Sequence, residues 1–238
     1  SFRAIRSSLQ FLYKNQKVIG SKTLMITSSV SGEGKTFSAI NIATVFALSE
    51  KSTVIVGLDL RKPKIFEDFK IGNNIGVVNY LIGQNTAYEI IQKTHIPFLD
   101  VITSGTSPPN TAELIMSDSM DELMADLKSK YDYIILDTPP VGLVTDALEL
   151  AHFCDVTLYI IRQNYTKKDM ITLLNNRVKR GELNNVSIIL NGFENKAKYG
   201  YAYGYGFDYG YGSYSNGYHE EDRPKNIFVK AYQKIFKR

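Results

Sequence analysis

The chain has 238 residues, a size typical of one α/β domain with an appendage, and its formal net charge is +4. Six basic residues and no acid lie in residues 223–238, so residues 1–222 carry −2, which does not indicate a nucleic-acid-binding body. A single cysteine, Cys154, excludes an intramolecular disulfide and fits a reducing compartment. No apolar run approaches the ~20 residues that span a bilayer, and the N-terminus lacks the apolar core of a signal peptide. We therefore expect a soluble, cytoplasmic chain.

Short apolar runs rich in β-branched residues alternate with segments of helical period along the chain. The predicted strands cover residues 23–27, 53–58, 98–103, 133–136, 156–161 and 186–190, and the predicted helices cover 2–12, 36–48, 112–129, 146–151 and 167–179. This alternation predicts an α/β fold whose mostly parallel sheet is flanked by helices on both faces. Ligands of such sheets bind at the carboxyl ends of the strands. Because the chain starts inside the first helical pattern, we expect it to belong to a longer protein.

A phosphate-binding loop is predicted where the first strand runs through residues 28–36, SSVSGEGKT, into a helix. Backbone N–H groups of such a loop surround phosphate oxygens, Lys35 reaches the outer phosphates, and Thr36 can bind Mg²⁺. Ser29 stands where the usual pattern opens with glycine, but the order of strand, loop and helix supports a P-loop. The residues expected to bind ATP here are Ser31, Gly32, Glu33, Gly34, Lys35 and Thr36.

Two predicted strands end in an aspartate, Asp59 after the second and Asp137 after the fourth. A carboxylate beside a phosphate loop is expected to hold Mg²⁺, usually through water, because magnesium prefers oxygen ligands. Two such strand ends also make a two-metal or an acid/base arrangement conceivable. The structural alternative for Asp59 is a helix cap or an ion pair with Arg61.

A tyrosine cluster with interleaved glycines occupies residues 199–222, after a predicted ATP-binding body of residues 1–198. The glycines remove backbone restraint, so we expect this segment to be disordered; the alternatives are a low-complexity linker and an edge strand. Residues 223–238 form a predicted basic amphipathic helix, suited to anionic lipid, to a partner groove or to its own domain. The tyrosines of the cluster are Tyr199, Tyr201, Tyr203, Tyr205, Tyr209, Tyr211, Tyr214 and Tyr218.

Four motifs in this order resemble the bacterial tyrosine kinases of capsule and exopolysaccharide export, over nearly the whole chain. They are SGEGKT at 31–36, LDLRKP at 58–63, YDYIILDTPP at 131–140 and the tyrosine cluster. The segment GTSPPN at 105–110, followed by Glu113 and Leu114, resembles a further family segment. Arg3 and Arg6 resemble the arginines of the family's subunit-contact motif, Glu-x-x-Arg-x-x-Arg, whose glutamate would precede Ser1.

The resemblance implies a role for several residues. Lys35 and Thr36 would belong to the Walker A motif, Asp59 and Arg61 to a second Walker-like motif, and Asp137 would be the Walker B aspartate. Asn191, at the end of the last strand, would lie near the adenine. The family usually has aspartate at the position of Gly57, so either Asp59 alone serves as base or metal-orienting group, or catalysis is weak.

The resulting hypothesis is a Mg²⁺- and ATP-dependent tyrosine kinase that phosphorylates the tail of a neighbouring subunit. The resemblance also implies a ring-like homo-oligomer, a transmembrane activator fused upstream or separate, a cognate tyrosine phosphatase, and a place at the inner face of the cell membrane.

Two rival functions remain open at this stage. One is an ATPase switch of the cell-division or plasmid-partition kind, but its extra loop lysine is replaced by Val30. The other is a nucleotide-binding scaffold in which Gly57 has abolished turnover. His95, His152 and His219 show no metal-ligand spacing, and we assign them no chemistry.

Overall fold

The computed structural model describes residues 2–142 and 146–194, and within them seven strands form one sheet. The strands are β1 (Lys22–Ser28), β2 (Thr53–Gly57), β3 (Gln92–Lys93), β4 (Leu99–Ile102), β5 (Tyr133–Asp137), β6 (Val156–Arg162) and β7 (Val186–Asn191). Their order is β3-β4-β2-β5-β1-β6-β7, and every neighbouring pair is parallel except β3 with β4. The predicted mostly parallel α/β sheet is confirmed.

Helices pack on both faces of this sheet. In the described ranges they are α1 (Phe2–Asn15), α2 (Lys35–Ala47), α3 (Ile65–Phe69), α4 (Val77–Leu81), α5 (Ala87–Ile90), α6 (Thr111–Ile115), α7 (Asp118–Lys130), α8 (Asp146–Glu149) and α9 (Lys168–Lys179), with a 3₁₀ turn at Leu150–Phe153.

The central strand β5 explains why the sheet needs cover on both sides. Successive strand residues point to opposite faces, and here both sets are apolar. Tyr133 and Ile135 pack in the core that α1 and α2 cover, where the Tyr133 ring stacks on Phe46 with centroids 3.9 Å apart. Ile134 and Leu136 pack in the opposite core, under α7. The double burial fixes β5 in the middle of the sheet and brings its last residue to the carboxyl edge.

The structure divides the predicted helix over 112–129 into α6 and α7. Ser117 lies between them in extended backbone, and its hydroxyl donates to the Leu114 carbonyl oxygen at 2.7 Å. A serine that bonds a nearby carbonyl competes with the helical ladder, which accounts for the break. The short helices α3, α4 and α5 and the two-residue strand β3 are too short to produce a readable period, so the sequence did not predict them.

Other local predictions can be checked directly. The helix at the start of the chain is present and extends to Asn15. Cys154 is a free cysteine just before β6, where burial raises the pKa of its thiol. Across the part of the chain that is described, no helix has the length and apolar character to cross a bilayer. The tyrosine cluster and the segment predicted to form a basic helix, residues 223–238, lie outside the described residues.

Candidate active site

The phosphate loop joins β1 to α2 at the carboxyl edge of the sheet. Gly34 precedes α2 in a left-handed conformation, with φ of 97°, which other residues rarely adopt. The Asn191 side chain donates to the Glu33 carbonyl oxygen at 2.9 Å and occupies the space into which a Cβ at Gly34 would project. Ser29, the departure from the usual pattern, shares a hydrogen bond of 2.9 Å with the buried Tyr159 hydroxyl, so its side chain braces the loop.

The loop brings Lys35 and Thr36 next to Asp137. The Thr36 hydroxyl donates to Asp137 Oδ2 at 2.8 Å, and β1 and β5 are neighbours with Ile26 opposite Asp137. Asp137 Oδ1 is buried and has no hydrogen-bond partner within the described residues. A buried carboxylate oxygen without a donor suits a cation, so Thr36 and Asp137 fit a magnesium site.

Burial controls the ionisation of this group of residues. It raises the pKa of Asp137 to about 7, although the Thr36 hydrogen bond and Lys35 act in the opposite direction. Burial also lowers the pKa of Lys35, while Asp137, Asp59 and Glu33 oppose that change. The pKa of Asp59 is raised by burial, against hydrogen bonds from the Lys62 and Arg61 backbone and the charge of Lys35. A buried lysine and two carboxylates with raised pKa values are typical of a functional site.

A cleft of about 170 Å³ opens in front of the phosphate loop. Asp59 is one of its lining residues, and the Asp59 carboxylate accepts a hydrogen bond of 3.1 Å from the Lys62 backbone N–H. The cleft is lined by Ser31, Gly32, Gly34, Lys35, Thr36, Phe37, Asp59, Lys62 and Lys64.

Two lysines of the cleft, Lys62 and Lys64, were not predicted from the sequence. Both follow Asp59 on one loop, and the charge of Lys64 contributes to the lowered pKa of Lys35. The cleft is therefore lined by three lysines and one carboxylate, that of Asp59, and this excess of positive charge suits an anionic ligand. In the sequence, the position of Lys62 and Lys64 just after Asp59, at the end of a strand, was the feature that could have indicated their place in the cleft.

Arg61 does not pair with Asp59, so that alternative for Asp59 is wrong. Its guanidinium makes two hydrogen bonds to Asp146, Nε to Oδ2 at 2.9 Å and a terminal nitrogen to Oδ1 at 3.2 Å. Asp146 is buried and holds Arg61 away from the cleft lining. The helix-cap alternative for Asp59 is wrong as well, because its carboxylate bonds the Lys62 backbone within a bend and the next helix, α3, begins at Ile65 with Lys64 as its N-cap.

The end of β6 and the loop that follows it form hydrogen bonds to the phosphate loop, and the sequence did not predict these contacts. Arg162 donates to the Gly32 carbonyl oxygen and Tyr165 to that of Ser31, both at 2.9 Å. The Thr166 hydroxyl donates to the buried Glu33 carboxylate, which also accepts from the Val30 backbone at 2.8 Å. The Glu33 side chain therefore stabilises the loop from within.

Gly57, the departure from the family pattern, is buried at the end of β2. It pairs with Asp137 across the β2–β5 ladder, and a Cβ built on it would lie 3.0 Å from the Ile65 methyl carbon Cγ2. Such a contact is tighter than most, so a side chain here requires Ile65 to move.

The two arginines predicted to contact another subunit lie on α1. Arg3 is exposed, whereas Arg6 is half-buried and donates to the Val45 carbonyl oxygen of α2 at 2.8 Å. Arg6 therefore helps to dock α1 within its own chain. Over the described ranges, no group of three or more His, Cys, Asp or Glu side chains is placed to hold a metal.

Comparison with known sequences gives consistent matches. A family described as an AAA domain matches residues 21–186. The tyrosine-protein kinase YwqD of Bacillus subtilis (strain 168) is 34% identical over 202 residues, covering 84% of this chain and 84% of YwqD. The tyrosine-protein kinase CpsD of Streptococcus agalactiae serotype III (strain NEM316) is 33% identical over 201 residues, again with 84% of both chains covered.

Solved structures give the same result. The kinase domain of the Escherichia coli tyrosine kinase ETK superposes with a TM-score of 0.78 at 32% identity, covering 87% of this chain and 80% of that domain. The septum site-determining protein MinD from Pyrococcus horikoshii, solved with Mg-ADP, has a TM-score of 0.59 at 20% identity over 71% of this chain and 70% of MinD, which supports the fold alone.

Proposed function

The chain belongs to the bacterial tyrosine-protein kinases, and we propose that it transfers the γ-phosphoryl group of ATP to the tyrosines at 199–218 of a neighbouring copy. The observation that carries this proposal is the hydrogen bond from Thr36 to the buried Asp137, beside a cleft that Lys35, Thr36 and Asp59 line together. Phosphoryl transfer needs in-line positioning and neutralisation of charge, and this arrangement can supply both.

The phosphate side of the reaction is assigned to the loop and α2. Backbone N–H groups of the loop and the N-terminus of α2 would bind the β- and γ-phosphates, and Lys35 would neutralise their charge. A magnesium ion held by Thr36 and Asp137 would add positive charge between the outer phosphates. Asn191, already bound to the Glu33 carbonyl oxygen, would lie at the adenine end.

The acceptor side is assigned to Asp59. A phenol has a pKa near ~10, so a nearby carboxylate must accept or orient its proton as the oxygen attacks phosphorus. Asp59 lines the cleft, and burial raises its pKa toward the range useful for a base. Arg61, bound to Asp146, is assigned a supporting role in this motif.

Regulation would follow from the charge that the reaction adds. Each phosphate brings about −1.5 to −2 charges, so several of them on one tail would repel one another and drive a ring of subunits apart. Arg3 is the exposed candidate for the subunit contact, with Arg6 fixing its helix. We further propose a role in capsule or exopolysaccharide synthesis at the inner face of the membrane, with a transmembrane activator and a tyrosine phosphatase as partners.

Phosphosite mapping by mass spectrometry tests the kinase proposal. The full chain is incubated with Mg²⁺ and ATP in the presence of the activator's cytoplasmic segment, with Lys35→Met as the control. Phosphate on residues 199–218 of the wild type and none on the variant is expected. Free phosphate release without labelled tyrosine would instead favour an ATPase switch, and neither product would favour a scaffold.

A further inference from the structure

Three loops that follow β2, β4 and β5 are tied together beside the cleft. The Asp146 carboxylate binds the Arg61 guanidinium with both oxygens, at 2.9 and 3.2 Å, and also accepts from the Thr111 hydroxyl at 3.1 Å. The Ser107 hydroxyl donates to the Leu60 carbonyl oxygen at 2.6 Å. We call Arg61, Ser107, Thr111 and Asp146 the three-loop clamp.

The clamp contains a buried charge that lies outside the cleft. Asp146 is 2% exposed, and its partner Arg61 is half-exposed at the surface. Burying a carboxylate costs free energy unless its oxygens are hydrogen-bonded, and both oxygens of Asp146 are. No member of the clamp is among the residues lining the cleft. A fully satisfied buried charge next to the cleft, but not in it, is suited to fixing geometry.

The loop that the clamp holds carries three residues of the cleft. Asp59, Lys62 and Lys64 all lie on the stretch between β2 and α3. Its first turn is fixed by the Leu58 backbone N–H, which donates to the Asp137 carbonyl oxygen at 2.8 Å. Beyond that bond, Leu58 and Leu60 are buried in the core under α7, and hydrogen bonds at Leu60 and Arg61 attach this loop to the segments that follow β4 and β5.

We propose that Ser107, Thr111 and Asp146 are positioning residues for phosphoryl transfer, acting through Leu60 and Arg61 to hold Asp59 against the phosphate loop. This inference rests on the proposed kinase function. It gives a role to the GTSPPN segment at 105–110, which no step of the phosphate chemistry uses: the segment supplies Ser107 and leads into Thr111.

The clamp leads to a specific kinetic expectation. The phosphates of ADP would be bound by the phosphate loop, which the clamp does not contact, so ADP affinity should be insensitive to it. Displacement of Asp59 by a fraction of an ångström, in contrast, affects the reacting geometry, and a shift of ~1 Å can cost ~100-fold in rate. Loss of the clamp should therefore lower kcat and change ADP affinity by no more than ~3-fold, because Lys62 and Lys64 keep their charge when their loop shifts.

The test is a double-mutant cycle on the full chain with Asp146→Asn, Arg61→Gln and the pair. Tail phosphorylation gives kcat and the KM for ATP, and titration with Mg-ADP gives the affinity. We expect Asp146→Asn to lower kcat ~10- to 100-fold with ADP affinity within ~3-fold, and the double variant to be no slower than the slower single variant. Asp126→Asn, which removes the exposed ion pair with Lys130, is the matched control and should leave kcat unchanged.

Hydrogen exchange provides a readout that does not depend on kinase activity. The amides of residues 59–62 and 64 should exchange faster in Asp146→Asn than in the wild type or in Asp126→Asn, and this expectation holds even if the wild type transfers no phosphate. The inference would be overturned if Asp146→Asn left exchange at these amides or kcat unchanged. It would also be overturned if Asp146→Asn lowered kcat by the same factor in the wild-type and the Arg61→Gln backgrounds. If Asp146→Asn does not fold, Ser107→Ala carries the same comparison, because it removes a single hydrogen bond from a half-buried residue.

Discussion

Gly57 and Asp137 lie directly opposite each other on the neighbouring parallel strands β2 and β5. Paired residues of adjacent strands share a face of the sheet, so an aspartate at position 57 would place its carboxylate beside that of Asp137. The chain has instead a glycine, with the Ile65 side chain against the vacant position. Asp59, two residues further on, is then the carboxylate left in this motif to face the acceptor.

Asp59→Asn is therefore expected to lower the rate of tail phosphorylation ~100-fold or more, the usual contribution of a positioned base. Phosphotyrosine detection measures the initial rate.

Gly57→Asp should raise the rate of tail phosphorylation less than ~10-fold. It should also lower the free energy of unfolding by ~1–3 kcal/mol, because the new side chain crowds Ile65 and adds a buried charge beside Asp137. Initial rates by phosphotyrosine detection and urea unfolding measure the two effects. A rise of ~100-fold in Gly57→Asp would show that the native chain is a scaffold with little activity.

The raised pKa of Asp137 predicts a pH-dependent cost to stability in the absence of magnesium. An unfolded aspartate titrates near ~3.9, whereas burial raises the folded pKa to about 7. Between these pH values Asp137 is deprotonated in the unfolded chain and still protonated in the folded chain. The free energy of unfolding is therefore highest below pH ~4 and falls as the pH rises toward 7.

Asp137→Asn removes this dependence. In EDTA at pH 8 the variant should be more stable than the wild type by ~2–4 kcal/mol, with the difference vanishing near pH 4, while its tail phosphorylation is lost. Chemical unfolding across this pH range measures the difference. A wild type that is the more stable chain at pH 8 would contradict the assigned cause.

Lys64 supplies positive charge to the cleft without belonging to the phosphate loop. Lys64→Met should lower kcat/KM for ATP by roughly 10-fold and weaken the dependence of the rate on ionic strength, because an electrostatic contribution to binding and transfer is removed. Lys179→Met, an exposed lysine on α9, is the control and should change neither quantity. Steady-state kinetics at low and high salt measure kcat/KM and its dependence on ionic strength. If Lys64→Met and Lys179→Met gave the same values, Lys64 would have no role in the site.

Thr166 lies in the loop after β6, and its hydroxyl donates a hydrogen bond to the buried Glu33 carboxylate. Thr166→Val leaves that carboxylate with the Val30 N–H alone, which should cost ~1–3 kcal/mol of stability and weaken ATP binding ~10-fold. Thr172→Val, exposed on α9, should stay within ~0.5 kcal/mol of the wild type. Calorimetric titration with Mg-ATP measures the affinity, and unchanged binding in Thr166→Val would show that the outer loop does not support the phosphate loop.

Local patterns were sufficient to predict six of the seven described strands and the phosphate loop. Lys35 and Thr36 follow a strand and open a helix, and Asp137 ends a run of apolar residues, so each has its signal within about ten residues of sequence. The parallel sheet followed from the same runs, since continuous apolar strands must be covered on both faces.

Contacts between distant residues could not be predicted in this way. Asp146 lies 85 residues from Arg61, and Thr166 lies 133 residues from Glu33. From sequence Asp146 is an acidic residue in the first turn of a predicted helix, which indicates a surface position, yet it is buried by its partners from two other loops. The break at Ser117 was missed for a different, local reason, because a serine within a helical period is compatible with a continuous helix and with a break.

Phosphate transfer between two defective copies tests the central claim most directly. Lys35→Met carries the acceptor tyrosines but lacks the phosphate-binding lysine, and a chain with all eight cluster tyrosines changed to phenylalanine keeps the site but lacks acceptors. The two are mixed with Mg²⁺, ATP and the activator's cytoplasmic segment, and tail peptides are mapped by mass spectrometry. Phosphate on residues 199–218 of the Lys35→Met chain is the predicted result. No phosphate there, while the wild type alone labels its own tail, would contradict transfer between copies; no phosphate in any mixture would contradict the kinase assignment itself.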